Sequence, residues 1–513
     1  MNAMPNNTPI IIGVGQSVSQ WNPAALSTDA PSPIGMANLA SRRAIDDVGL
    51  SVSFGQKIDT LALVRTMADS LPATQYPLGA PVNAPGALAH QLNIQPNKLI
   101  YAQVGGDTPQ ALVSEMAERI YNGETKLALI AGGEATGAMK AARRAHIDLD
   151  WSAPAHGDCE DRGFGPPLLS AYELRHGLVF PTQVYALFEN ALRRKQGLNL
   201  AQYRAQMAAL FAPFSNIAAG NPYAQFGQAR SVDFLRTPSP ENYDISTPYL
   251  KWHVAQDAVN QGAALLMTSV GMAKRMGVPM DKWIYLHVSA QARDTFLTER
   301  PDLSTSQSTK FVLDKVLASS GLDIAKISYI DLYSCFPCAV FIAAQALGID
   351  WRIQNQQGRP LTVTGGLPFF GAPGNNYSMH AIATMVEHLR KDQNGYGLIL
   401  ANGGYLTKQA TGIYSAKPAH DWTPVSNICR EVTIKNKHLS KIDKAPTHAK
   451  LIAHTINYYK GEPVSGFALC QTDQGRCLAK IVPNDKINLQ RLAMGKNLEK
   501  VSITTNNGVN YIS

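Results

Sequence analysis

"LTVTGGLPFFGAPGNNYSMHAIATMVEHLRKDQNGYGLILANGGYL", residues 361–406, decides how this chain is read. It runs strand, Gly-Gly loop, amphipathic helix, buried strand and a second Gly-Gly turn. The same order is written once before, over residues 97–135, as "NKLIYAQVGGDTPQALVSEMAERIYNGETKLALIAGGEA". Strands alternating with helices imply parallel βαβ units with helices covering a sheet. Two matching copies imply an internal duplication.

Working outward, residues 9–16 ("PIIIGVGQ") read as a buried strand and residues 32–50 as a helix. "KIDTLALVRT" is a further strand, and "ISYIDLYSCFPCAVFIAAQALGI" is another strand-to-helix unit. The expected organisation is a first half over 1–255, with an irregular insertion at about 138–250, and a second half over 256–415. A Pro-containing linker covers 416–429. Residues 430–513 form a separate unit of short alternating segments, read as a small all-β barrel.

The 513 residues are too many for one ordinary core, and 45% hydrophobic with 16% charged residues reads as soluble and globular. The longest apolar run, "FPCAVFIAAQALGI", is short of a membrane span. "MNAMPNNTPIIIGVGQ" lacks the basic start and apolar stretch of a signal peptide, so cytoplasm is the expected compartment. Six cysteines (159, 335, 338, 429, 470, 477) then read as reduced thiols. Cys335 and Cys338 form one C-x-x-C pair with no second pair or His cluster, so no metal site is expected. Of the net charge of +8, residues 430–513 carry +7, with 13 Lys/Arg against 6 Asp/Glu. That module lacks an aromatic-rich RNA signature or a basic helix, which argues against nucleic acid and for an acidic ligand or partner.

Four motifs carry a resemblance: "VGGDTPQALV" (104–113), "VNQGAALLMTS" (259–269), "DLYSCFPCAV" (331–340) and "GGLPFFGAPGNNYSMHAIA" (365–383). In this order they resemble the thiolase superfamily over residues 8–415, nearest its thiolase-like type 1 branch beside the sterol carrier protein x-type thiolases. The resemblance implies a duplicated α/β fold layered αβαβα, here followed by an OB-like barrel. It implies acyl-CoA thioesters as ligands, no other cofactor, acyltransferase chemistry of the acetyl-CoA acetyltransferase kind, and a homo-oligomer (dimer or dimer of dimers). The family's chemistry needs an activated thiolate, a base and a preorganised oxyanion hole.

The positions implied by the resemblance depart from that set. The nucleophile loop reads Gly105-Gly106-Asp107, the Gly-His-Pro loop reads Gly371-Ala372-Pro373, and the late Cys turn reads Ala401-Asn402-Gly403-Gly404. Where x-type enzymes have His-Asp-Cys-Phe, this chain has Tyr333-Ser334-Cys335-Phe336. Cys335 is the strongest remaining thiol, because a helix starting near Pro337 would lower its pKa; packing is the competing role. His380, at the start of a helix, should be neutral and able to serve as base or donor, or simply be satisfied by backbone. Tyr333 stands at the oxyanion-hole position with a phenol able to donate a hydrogen bond. Asn375, Asn376 and Asn402 can orient a thioester carbonyl or cap loops. His156 and His176 in the insertion are placed beside an acyl or pantetheine channel. Three functions follow: a thiolase-type acyltransferase with altered residues, a non-catalytic acyl-CoA or lipid-binding protein, and a retro-aldol carbon–carbon lyase with Tyr333 as proton shuttle.

Overall fold

The structure, a computed structural model, describes residues 5–24, 29–50, 52–70, 78–419, 422–428, 432–433, 441–442, 448–481, 485–493 and 500–512. Cys429 and the expected domain boundary at 430 lie outside them.

The Ile10–Ile12 run opens strand β1 (Pro9–Val18) and is completely buried. Helix α1 (Pro33–Asp47) starts where Ser32 accepts from the Gly35 amide and Pro33 fills the first helical position. It lies tightly on β1 because Gly13 and Gly15 leave room: a Cβ there would stand 2.3 Å from the Ala44 oxygen and 2.1 Å from the Ala40 oxygen. Next come β2 (Thr60–Leu63), β3 (Lys98–Tyr101), α2 (Thr108–Tyr121) and β4 (Leu127–Glu134). The insertion carries α3 (Pro181–Lys195) and α4 (Leu200–Gly220), and β5 (Gln261–Ser269) ends the first half. The second half runs β6 (Ile284–Arg293), α5 (Gln307–Ser320), β7 (Tyr329–Leu332), α6 (Pro337–Leu347), α7 (Tyr377–Lys391), β8 (Tyr396–Gly403) and β9 (Lys408–Ser415).

Both halves are built alike. In the first, the order is β1-β5-β4-β2, with β5 antiparallel to its neighbours and β4 parallel to β2. In the second, β6-β9-β8-β7 repeats the order and the directions. The two meet where Ile10 and Ile11 pair with Tyr285 and Ile284. Helices α2 and α7 are packed between the two halves of the sheet, α1 covers the outside of the first and α5 the outside of the second. These are the five layers αβαβα.

One expected element is absent from the second copy. Residues 361–364 ("LTVT") are not a strand, and β3 has no counterpart. Their polar groups are drawn to Asp331 instead: its Oδ2 accepts from the Val363 amide (2.9 Å) and the Thr362 hydroxyl (2.9 Å). Among the described residues, only the Leu332 amide reaches this segment as a backbone pair, at the Leu361 oxygen.

The C-terminal unit has strands His448–Tyr459, Glu462–Thr472, Gly475–Ile481, Lys500–Asn506 and Val509–Ile512, with helix Lys486–Ala493 between the third and fourth. The pairing order second-third-fifth-fourth-first closes because the first strand also pairs with the second, and third and fifth run parallel. That is the topology of an OB barrel. Its first strand is extended by Asp244–Ser246 and Tyr249–Leu250 from the insertion. Cys470 and Cys477 face each other across the second and third strands as buried free thiols. Among the described residues no helix is long and apolar enough to cross a membrane, and no three metal-ligating side chains gather.

Candidate functional site

The duplication brings the two Gly-rich loops face to face. The Gly105 amide donates to Asn375 Oδ1 (3.1 Å), and Ser378 Oγ donates to the Gly106 carbonyl (2.9 Å). Asn375 Nδ2 donates to the Arg65 carbonyl (2.8 Å) and Ser70 Oγ (3.3 Å), so this side chain ties three loops together. Asn376 points at Gly132, and neither of its side-chain polar atoms has a hydrogen-bond partner among the described residues.

Gly106 is crowded by the phenol of Tyr333. A Cβ at Gly106 would stand 2.4 Å from Tyr333 Oη and 2.5 Å from the Asn402 carbonyl. No side chain fits there, and the tyrosine oxygen occupies the space into which a residue at 106 would project. Tyr333 is buried, its ring packs edge-on against Tyr377 at 5.4 Å, and burial first, then Cys335 and Asp107, hold its pKa well above the ordinary phenol value. The group is therefore a neutral phenol, a donor rather than a base.

Cys335 stands at the start of α6, as its position before Pro337 implies. Its thiol is nevertheless not activated. Burial pushes its pKa up to about 12, outweighing the hydrogen bonds from Tyr185, the Phe336 amide and Asn402 that act to lower it. The expectation of a lowered pKa is thus corrected: desolvation of a thiolate costs more here than a helix terminus returns. Asn402 is fixed on both ends, donating from Nδ2 to Tyr185 Oη (2.9 Å) and accepting at Oδ1 from Gln409 (2.8 Å). Its Nδ2 lies 3.8 Å from Cys335 Sγ. Tyr185, on α3, stacks on Phe336 at 4.4 Å and closes the cluster from the insertion side.

Cys338, one residue into α6, belongs to another network. Glu189 Oε1 accepts from Tyr203 (2.6 Å), and its Oε2 accepts from Tyr249 (2.8 Å) and the Cys338 amide (2.7 Å). Burial raises the Glu189 pKa to about 7 and the Cys338 thiol well above its ordinary value.

His380 is turned away from this cluster, onto the sheet. Its Nδ1 donates to Gln16 Oε1 (2.8 Å), because Gln16 Nε2 is committed to Thr384 (3.2 Å). Burial alone lowers its pKa to about 3, so the ring is neutral. Nε2 has no partner among the described residues, and the ring lies edge-on to Phe370 at 5.1 Å. Gly371 and Ala372 line the same layer: a Cβ on Gly371 would meet Gln261 Oε1 at 2.5 Å, and the Ala372 amide donates to the Gln256 carbonyl. Asp107 nests against Gly105 and Gly403, with burial raising its pKa against the opposing pull of Lys408 and Arg293.

The two insertion histidines are placed as follows. His176 lines no channel; its Nδ1 bonds the Tyr172 carbonyl (2.9 Å) and its Nε2 accepts from the Asn510 amide (3.2 Å), which seats it between insertion and barrel. His156 packs edge-on against His90 at 4.7 Å. The sequence reading passed over Tyr185, Ser378, Gln409 and Glu134. Glu134, at the end of β4, accepts from the Met67 amide (2.7 Å) beneath Gly374, and burial raises its pKa to about 8. Its signal was a carboxylate ending an otherwise apolar strand.

No family model and no curated protein matches the chain. Among solved structures it is similar to a monomeric SCP2-thiolase-like protein type 1 from Mycobacterium smegmatis, with 32% identity, TM-score 0.82 and 100% of both chains covered. The Ltp2-ChsH2(DUF35) aldolase shares 18% identity with a TM-score of 0.58 over 82% of this chain and 100% of its own. An acetyl-CoA acetyltransferase from Syntrophomonas wolfei shares 13% identity with a TM-score of 0.54, covering 80% and 100%. The last two likenesses are of fold.

Proposed function

The chain belongs to the SCP2-thiolase-like type 1 family of the thiolase superfamily, and from that membership we propose that it binds acyl-CoA thioesters without taking up the acyl group on a cysteine. The observation that carries this reading is the Tyr333 phenol beside Gly106. A covalent acyl-enzyme needs a thiolate at the reacting carbon. The loop Gly105-Gly106-Asp107 carries no thiol, residue 106 has no room for one, and Cys335, with its pKa pushed up to about 12, is a neutral thiol at pH 7. Tyr333 remains as a neutral donor for a thioester carbonyl, beside an Asn402 amide held on Tyr185 and Cys335. Asn402 is set by Tyr185 and Gln409 before any ligand arrives.

Calorimetry with acetyl-CoA, a long-chain acyl-CoA and free CoA, paired with intact-mass spectrometry, tests the reading. The expected result is binding heat with at least one thioester and no acyl adduct. An acyl adduct that disappears in Cys335→Ser, or no heat with any of the three, overturns it.

A second reading is favoured by the same phenol. A neutral tyrosine at the reacting centre suits protonation of an enolate formed when a β-hydroxyacyl-CoA is cleaved. Tyr333→Phe would then abolish cleavage while leaving thioester binding within a few-fold of the parent; cleavage unchanged in that variant removes Tyr333 from the role.

A further inference from the structure

The barrel is docked on the thiolase body by its first strand, which pairs with Asp244–Ser246, and by its third strand and the residues after its last loop. The Leu478 amide on the third strand donates to Tyr172 Oη (2.9 Å), and Asn510, next to the last loop, donates from its amide to His176 Nε2 (3.2 Å). Arg476, also on the third strand and buried, grips two carbonyls of the thiolase body: Nη1 donates to Arg300 (2.6 Å) and Nη2 to Pro301 (2.8 Å). Arg300 is itself buried and passes the contact inward. Its Nε donates to the Thr295 carbonyl (3.0 Å) and its Nη2 to the Leu406 carbonyl (2.7 Å).

Leu406 closes an unusual turn. Gly404, Tyr405 and Leu406 have φ of 58°, 60° and 64°, three successive left-handed residues of which two carry side chains. Such a conformation is sterically costly and persists only where its surroundings impose it. Here the imposing contacts are the Arg300 guanidinium, the Asp294 amide donating to the Thr407 carbonyl (2.8 Å), and Tyr405 Oη donating to the Val179 carbonyl (3.0 Å). The turn directly follows Asn402, whose amide stands between Tyr185 and Cys335.

We propose that the C-terminal barrel is a built-in brace for the candidate site, setting Asn402 through Arg476, Arg300 and the 404–406 turn. Arg476 and Arg300 are positioning residues. The ligand arm of the test rests on the acyl-CoA reading; the other two arms do not.

The experiment compares the full-length protein with Arg476→Ala and with Arg194→Ala. Arg194 also contacts the barrel, donating to the Leu451 carbonyl (3.3 Å), but that bond does not lead to the turn. Site-resolved alkylation of Cys335 and hydrogen exchange at the Thr407 amide are followed by peptide mass spectrometry, with acetyl-CoA affinity in parallel. Loss of a hydrogen-bonded guanidinium should make the turn open roughly tenfold more often in Arg476→Ala. Cys335 alkylation and Thr407 exchange should rise by that factor, with no change in Arg194→Ala and a smaller rise in Arg476→Lys. Arg476→Lys supplies the reading if the alanine variant does not fold. Unchanged protection in both Arg476 variants, or equal loosening in Arg194→Ala, overturns the brace. Responsive Cys335 and Thr407 in a protein that binds no thioester would leave the brace standing and remove the acyl-CoA reading.

Discussion

At the scale of single residues, Gly106 and Tyr333 form one unit. The glycine is needed because the phenol and the Asn402 carbonyl already occupy the space that a Cβ would need. Gly106→Ala should destabilise the fold by about 1–3 kcal/mol, the usual cost of overpacking a closed site. Placing it in a Tyr333→Ala background should recover part of that loss, because the Asn402 carbonyl stays in place. Urea midpoints of the two single variants and the double variant check this; strict additivity would mean that the phenol does not fill the position. The sequence displayed the missing thiol of the Gly105-Gly106-Asp107 loop and the missing imidazole of the Gly371-Ala372-Pro373 loop without help from any structure. It could not display what stood in their place, since Tyr333 reaches Gly106 from 227 positions along the chain. His380 shows the opposite failure. Its helix position was legible and its neutral state follows from burial, but its direction was decided by Gln16 on β1, the nearest acceptor on the sheet face.

At the scale of elements, the outer edge of the first half is sealed. β3 pairs on its free side with Glu160–Asp161, and the Arg162 amide extends the pairing to the Tyr101 carbonyl. Arg162 fastens this strap to α2 with a two-pronged contact to Glu115 at 2.7 and 2.8 Å, and Lys98 pairs with Glu160 at 2.9 Å. A covered edge offers no ladder to a second copy. The protein is therefore not expected to pair with a second copy through this edge, whatever homo-oligomer the family resemblance implies. Arg162→Ala, which leaves the mostly buried Glu115 with Arg119 alone, should cost about 1 kcal/mol and promote concentration-dependent self-association. Self-association in analytical ultracentrifugation that is no stronger in Arg162→Ala than in the parent chain would contradict the sealed edge. The strap was read as part of an irregular insertion, because a two-residue strand has no periodicity to detect.

At the scale of the whole molecule, buried titratable groups in the two halves and the barrel couple stability to pH. Burial raises the pKa of Glu134 from 4.5 to about 8. Between those values the folded chain holds a proton that the unfolded chain has released, so this group's contribution to stability falls as pH rises through the window. His253 and His380 are lowered from 6.5 to about 3, and His454 in the barrel from 6.5 to about 4. There the unfolded chain binds the extra protons, so stability falls as pH drops below 6.5. Glu134→Gln should therefore gain stability relative to the parent at pH 8 and not at pH 4.5. His380→Gln should flatten the loss between pH 6.5 and 4. Urea midpoints across the pH range check both signs, and an unchanged profile in either variant would place that group in solvent.

The duplication, the alternation of strands and helices in both halves apart from residues 361–364, and the existence of a β-rich C-terminal unit were legible in the chain alone. Those features are written in local periodicity, in Gly-rich loops repeated at the same place, and in a change of composition after residue 415. Folding in three dimensions brings about the rest: residues 361–364 give up their strand to Asp331, Tyr333 rather than a thiol faces the first loop, and the barrel props the Asn402 turn. Each of these is settled by a hydrogen bond or a steric contact between distant segments. Local preference has no access to such contacts, and burial then fixes which groups carry charge.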